Sequence, residues 1–166
     1  MPMRKLSLAG LFVSLGLVLP IGFHSLGLGA SFLPIHIPVL LAGIYLGWRF
    51  GALVGVVTPL LSAVLTGMPP LTVAFMMLVE LPLYAVAVSL LYRWSKNALV
   101  SVAGAALVGR LVYGLTGYLL FPLLGLPPVS PLYPVTAGIV SGLPGVALQL
   151  VVVPLLVGRF KPERNA

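Results

Sequence analysis

FLPIHIPVLLAGIYLGWRFGALVGVVTPLLSAVLT, residues 32–66, consists of two apolar runs hinged at Gly47-Trp48-Arg49. A helix crossing the hydrocarbon of a bilayer needs about 20 apolar residues, within a range of roughly 17–25. Two such runs joined so tightly form a hairpin. The first run is irregular at its start, where Pro34 and Pro38 bracket His36 in the stretch Phe32–Gly43. It is short once its prolines are discounted, so its outer end is expected to be re-entrant or non-helical. Such backbone survives at membrane depth only where protein or a wet cavity shields it.

Working outward, six segments meet the length rule: Leu6–Phe23, Phe32–Trp48, Phe50–Thr66, Leu71–Tyr92, Leu99–Phe121 and Val135–Val157. Composition agrees. The 166 residues are 60% hydrophobic and 7% charged, against about 25% charged in a soluble domain. The expectation is an all-α membrane protein of six transmembrane helices, a single unit over residues 1–166. Absence of cysteine excludes disulfides, iron–sulfur clusters and thiol catalysis. The net charge of +7 is read as a topology signal and not as a nucleic-acid footprint, because the charges fall at segment ends. Arg4, Lys5, Arg49, Arg93, Lys96, Arg159, Lys161 and Arg164 all lie on one side of a six-span arrangement, and the opposite connections carry no Lys or Arg. The positive-inside rule then puts both termini in the cytoplasm. Arg4 and Lys5 before Leu6–Leu19 also have the form of a signal peptide, but the apolar run continues to Phe23, which favours a retained helix. That helix carries Ser7, Gly10 and Ser14 on one face, small residues of the kind that let helices approach closely in lipid.

Polar groups inside the spans are few. Glu80 and Arg110 fall mid-span on the fourth and fifth segments at matching depth, and either charge alone would be costly in lipid. An interhelical pair is expected, serving the fold alone or also facing a polar ligand. Tyr84 and Tyr113 lie one turn from Glu80 and Arg110 respectively, Gln149 is a lone amide on the sixth segment, and Thr58, Ser62 and Thr66 form a stripe on the third. His24 and His36 flank the first outer connection. Pro59 and Pro82 fall inside the third and fourth segments, where freed carbonyls either frame a cavity or mark inert kinks. Pro122, Pro127, Pro128, Pro131 and Pro134 stiffen the fifth-to-sixth connection. No catalytic dyad, metal-ligand cluster or phosphate-binding loop is present. Neither enzymatic activity nor a metal or cofactor is expected.

These residues resemble the substrate-binding S component of energy-coupling factor (ECF) vitamin transporters. The resemblance covers nearly the whole chain and is carried most specifically by Phe32–Leu71, by Glu80-Leu81-Pro82-Leu83-Tyr84, by the basic end at Tyr92-Arg93 and by Gly142–Val157. It implies a multi-pass protein of a prokaryotic plasma membrane that binds a vitamin or precursor in its outer half, under a lid of outer loops. The partners implied are a transmembrane coupling subunit and two cytoplasmic ATPases. The family's docking face on the first helix bears an Ala-x-x-x-Ala pattern, and here the nearest match is Gly10-x-x-x-Ser14 with Ser7 and Ala9 close by. The expected ligand set is His36, Thr66, Glu80, Tyr84, Arg110, Tyr113 and Gln149, with His36 at the rim of the pocket and Pro34 and Pro38 holding that rim non-helical. The candidate substrates are a neutral ring, such as pyridoxine or hydroxymethylpyrimidine, or an anion such as pantothenate. The alternatives are a stand-alone carrier, with Glu80 and His36 as a proton relay, and a membrane protein with a purely structural role.

Overall fold

The structure, a computed structural model, describes residues 2–25, 27, 32–125, 136, 142–160 and 162. Within them the chain forms six α-helices and no strand: α1 Pro2–Ser25, α2 His36–Leu46, α3 Trp48–Thr66, α4 Leu71–Ser95, α5 Ala98–Leu123 and α6 Leu143–Arg159. Four of them, α1, α3, α4 and α5, are long and apolar enough to cross a membrane. The other two are shorter than the segments anticipated for them. In α6 the expected outer part, residues 135–141, lies outside the described residues apart from Thr136. The same holds for Pro127, Pro128, Pro131 and Pro134, for Lys161 and Arg164, and for the side chain of His24.

The helices follow from local chemistry. Gly47 joins α2 to α3 with φ 88°, a left-handed conformation that glycine adopts without a side-chain clash. This single residue makes the hairpin possible. Asn97 starts α5 by accepting hydrogen bonds from the backbone N–H groups of Leu99 and Val100 at 2.9 and 3.2 Å, a side-chain cap for donors that have no partner inside the helix. Trp48 and Trp94, both exposed, lie beside Arg49 and Arg93. The Arg49 guanidinium rests 5.1 Å from the Trp48 ring centre, an amphipathic grouping suited to the membrane–water interface.

The arrangement is centred on α2. It packs against α1, α3, α4 and α6, and every residue of it except Tyr45 is buried. At 1.5 Å per residue its 11 residues extend about 16 Å, roughly half the hydrocarbon thickness. The expectation of an irregular outer end is met at Leu33–Ile35, a turn in which Leu33 O accepts from His36 N at 3.1 Å and Pro34 O from Ile37 N at 3.3 Å. Pro38 departs from expectation. It lies in the first turn of α2 and does not interrupt it, because the first N–H groups of a helix have no intrahelical acceptor to lose. At the other end of α2, the Tyr45 hydroxyl donates to Phe160 O and, at 3.3 Å, to Leu156 O, tying α2 to the end of α6.

Lipid offers no hydrophobic drive between apolar helices, so close packing carries the association. Gly43 on α2 comes so near α4 that a Cβ there would lie 2.6 Å from Ala85 O. Pro82 belongs to this packing, and Pro59 is buried in α3. Helices α3 and α4 run continuously through them, and a Cβ at Gly55 would meet Pro82 N at 2.7 Å. On α5, a Cβ at Gly109 would fall within the Tyr84 ring. The outward faces are apolar: Val18, Val64, Leu65, Leu71, Leu115 and Leu155 are all exposed, as a lipid-facing surface requires.

Gly109→Ala is expected to lower stability by about 1–3 kcal/mol through overpacking. It would appear as a reduced melting temperature in detergent micelles. An unchanged melt would mean that the Tyr84 ring is not seated against α5.

Candidate functional site

A cavity of about 720 Å³ opens beyond the N-terminal end of α2. Its walls are the C-terminal part of α1 (Leu17, Pro20, Ile21), the turn Leu33–Ile35, the end of α3 with the Gly67–Pro70 connection, and Gly142 before α6. Down α4 the lining residues are Val73, Met77 and Glu80, spaced four and three apart and therefore on one helix face. Arg110 and Tyr113 contribute from α5 in the same way. The volume falls within the usual range for small-molecule sites, about 300–1,000 Å³.

The inner end of the cavity is a buried polar cluster. Arg110 Nη2 donates to Glu80 Oε1, joining α5 to α4 as anticipated. His36 adds a third member from α2. Its Nε2 lies 3.0 Å from Arg110 Nη2 and 3.3 Å from Glu80 Oε1. A guanidinium only donates and a carboxylate only accepts, so Nε2 can accept from Arg110 or donate to Glu80, and its tautomer selects between the two. Glu80 and His36 are fully buried and Arg110 is 4% exposed. On its other side the guanidinium rests 5.1 Å from the Tyr113 ring centre, a cation–π contact that lends the charge a further partner. Among the described residues, Glu80 Oε2 and Arg110 Nε have no hydrogen-bond partner.

Of the seven residues anticipated as ligand contacts, the structure brings His36, Thr66, Glu80, Arg110 and Tyr113 to the cavity wall. Two corrections apply. His36 is not at the rim. It opens α2 and points its ring at the charge pair, because α2 starts only where the cavity ends. Tyr84 and Gln149 do not border the cavity. Tyr84 lies one turn deeper than Glu80, fully buried, with its ring edge-on to His36 (5.2 Å between centres, 76° between planes). Its hydroxyl donates to Gln149 Oε1 at 2.9 Å, so the pair buttresses the cluster from behind and links α4 to α6.

The hydroxyl stripe divides. Thr58 bonds back to Val54 O at 2.7 Å and stays in the packed interior, whereas Ser62 and Thr66 border the cavity: Ser62 donates to Met68 O at 2.7 Å, and Thr66 donates to Ser62 O at 2.7 Å and accepts from Met68 N at 3.2 Å. These bonds fold the α3–α4 connection over the cavity. Met77 and the α1 contributions were not anticipated. Met77 is legible afterwards from its position one turn before Glu80, while Leu17 and Ile21 are apolar residues among many and carry no sequence signal. Leu33 holds a left-handed φ of 50°, which costs a non-glycine residue about 1–2 kcal/mol. Its side chain is seated against Gly145 of α6, where a Cβ would meet Leu33 Cδ1 at 2.8 Å.

On α1, Ser7, Gly10 and Ser14 are exposed, and Ala9 is turned inward and buried. The serine hydroxyls bond back to Met3 O and Gly10 O at 3.1 and 2.9 Å, leaving a smooth face with no unsatisfied polar group.

Six helices, short central α2 and a polar-ended cavity describe a membrane-embedded small-molecule binding protein. The chain matches the family model of the ECF transporter substrate-specific component over residues 4–157, and it belongs to that family. Comparison with curated proteins and with solved structures gives no match in either case.

Two substitutions separate the cluster from its buttress. Arg110→Ala is expected to weaken ligand binding by about tenfold or more, equivalent to about 1.4 kcal/mol. Tyr84→Phe is expected to cost about 1–3 kcal/mol of stability by orphaning the buried Gln149 amide, with ligand affinity close to wild type. Calorimetric titration and thermal melts of the purified variants check both. Equal affinity loss in the two would place Tyr84 in the ligand site after all.

Proposed function

We propose that this protein is the substrate-binding subunit of an ECF-type ABC transporter that imports a water-soluble vitamin or vitamin precursor across a prokaryotic plasma membrane. The observation that carries this is the cavity, which ends on a buried His36–Glu80–Arg110 cluster in a chain of the S-component family. The ligand contacts are His36, Thr66, Glu80, Arg110 and Tyr113, and the buttress is Tyr84 with Gln149. Charge placement supports cytoplasmic termini, which puts the cavity in the outer half of the membrane where an external solute enters. The α1 face of Ser7, Gly10 and Ser14 is the docking surface for the transmembrane coupling subunit. Its small residues suit helix-to-helix contact in lipid, and Gly10 has no neighbour within 4 Å of a built Cβ. Two cytoplasmic ATPases complete the transporter.

Reconstitution distinguishes this assignment from a stand-alone carrier. Liposomes holding this chain with the coupling subunit and both ATPases are expected to accumulate the vitamin only when ATP is present inside, and liposomes holding the chain alone are expected to accumulate none. Uptake by the chain alone, driven by a pH gradient, would instead assign Glu80 and His36 to a proton relay. In the complete system, Gly10→Leu is expected to abolish ATP-driven uptake while ligand affinity stays at the wild-type value.

A further inference from the structure

Building on the assignment as a substrate-binding subunit, we infer that the cavity selects an uncharged ring compound and rejects anions and cations of the same shape.

The first support is charge balance. Among the described lining residues the ionised side chains are Glu80 and Arg110, and they are bonded to each other. The pair therefore sums to zero before any ligand arrives. Among the described residues no further charge lines the cavity: Arg4, Lys5, Arg49, Arg93, Lys96 and Arg159 lie toward the helix ends away from it. An anion would have to take Arg110 from Glu80 and lie beside the stranded carboxylate. A cation would have to take Glu80 and strand the guanidinium. Either exchange leaves a buried charge unpaired where solvent cannot stabilise it.

The second support is the wall itself: Leu17, Ile21, Val73, Met77 and the Tyr113 ring present apolar and aromatic surface to the body of the ring.

The test ranks matched compounds by calorimetric or thermal-shift titration of the purified chain in nanodiscs. The panel is nicotinamide against nicotinate and the ring-methylated cation 1-methylnicotinamide, pyridoxine against pyridoxate, and hydroxymethylpyrimidine against its carboxylate. For the compounds that bind, the neutral member is expected to bind about a hundredfold or more tighter than its charged counterpart, the consequence of leaving a buried ion unpaired. Glu80→Gln frees Arg110 and is expected to reverse the order in favour of the carboxylate. A charged member that binds wild-type protein as tightly as its neutral partner overturns the inference while leaving the transporter assignment standing. If no member of any pair binds, the cavity does not take a ring compound of this kind and the inference falls, while reconstituted uptake still decides the transporter assignment. The wild-type ranking decides the matter even should Glu80→Gln fail to fold.

Discussion

The bond between Glu80 and Arg110 is the constraint around which the molecule is arranged. A lone ionised side chain at the centre of a bilayer costs about 2.5–3.5 kcal/mol by insertion measurements, so each of these residues requires the other. Their pairing sets the depth of α4 relative to α5. His36 joins the pair from α2, which fixes where that short helix begins and how it is rotated. Three helices are thereby registered at one level by three side chains. Tyr84 and Gln149, immediately behind, bring α6 to the same level through a buried hydrogen bond.

The cavity follows from the length of α2. A helix of 11 residues fills about half of the hydrocarbon thickness, and the space beyond its N-terminus is bounded by the longer helices around it. The chain reaches α2 through the turn Leu33–Ile35, whose backbone borders the cavity. A non-helical turn at that depth is tolerated because protein encloses it. The left-handed Leu33 is kept in place by its seat on Gly145. The site is thus an outcome of incomplete spanning, and its polar end is placed by the same pair that holds the bundle.

The inner and outer surfaces of the helices follow different rules. The inner contacts at Gly43, Gly55 and Gly109 admit neighbouring backbone or rings to within a distance that any larger residue would forbid, and this replaces the hydrophobic drive that lipid withholds. The outer surfaces carry large apolar residues exposed to the bilayer. On α1 the outward stripe of Ser7, Gly10 and Ser14 interrupts that pattern with small residues whose hydroxyls are already bonded to their own helix. The stripe therefore presents no unsatisfied hydroxyl to lipid.

Much of this was legible in the sequence. Apolar run lengths identified a helical membrane protein, the glycine at position 47 marked the hairpin, and two charges in a nearly uncharged interior identified their own partner, because lipid leaves an isolated charge no alternative. Other features depended on three dimensions. The one-turn spacing of Tyr84 from Glu80 placed both on the same helix face, and only the packed bundle decided that the cavity stops at Glu80 and leaves Tyr84 behind it. The sequence showed His36 between two prolines, and only the fold decided that Pro38 begins a helix and that the ring reaches the charge pair. Pro59 and Pro82 were visible as possible breaks, and only the fold decided that α3 and α4 run through them, with Pro82 in the close approach of the two helices. The apolar walls contributed by α1 had no signal at all. Run length, charge and conformational rules act along the chain and are readable from it. Which side of a residue meets a cavity, a neighbouring ring or lipid is set by helix rotation and depth, and those are properties of the assembled bundle.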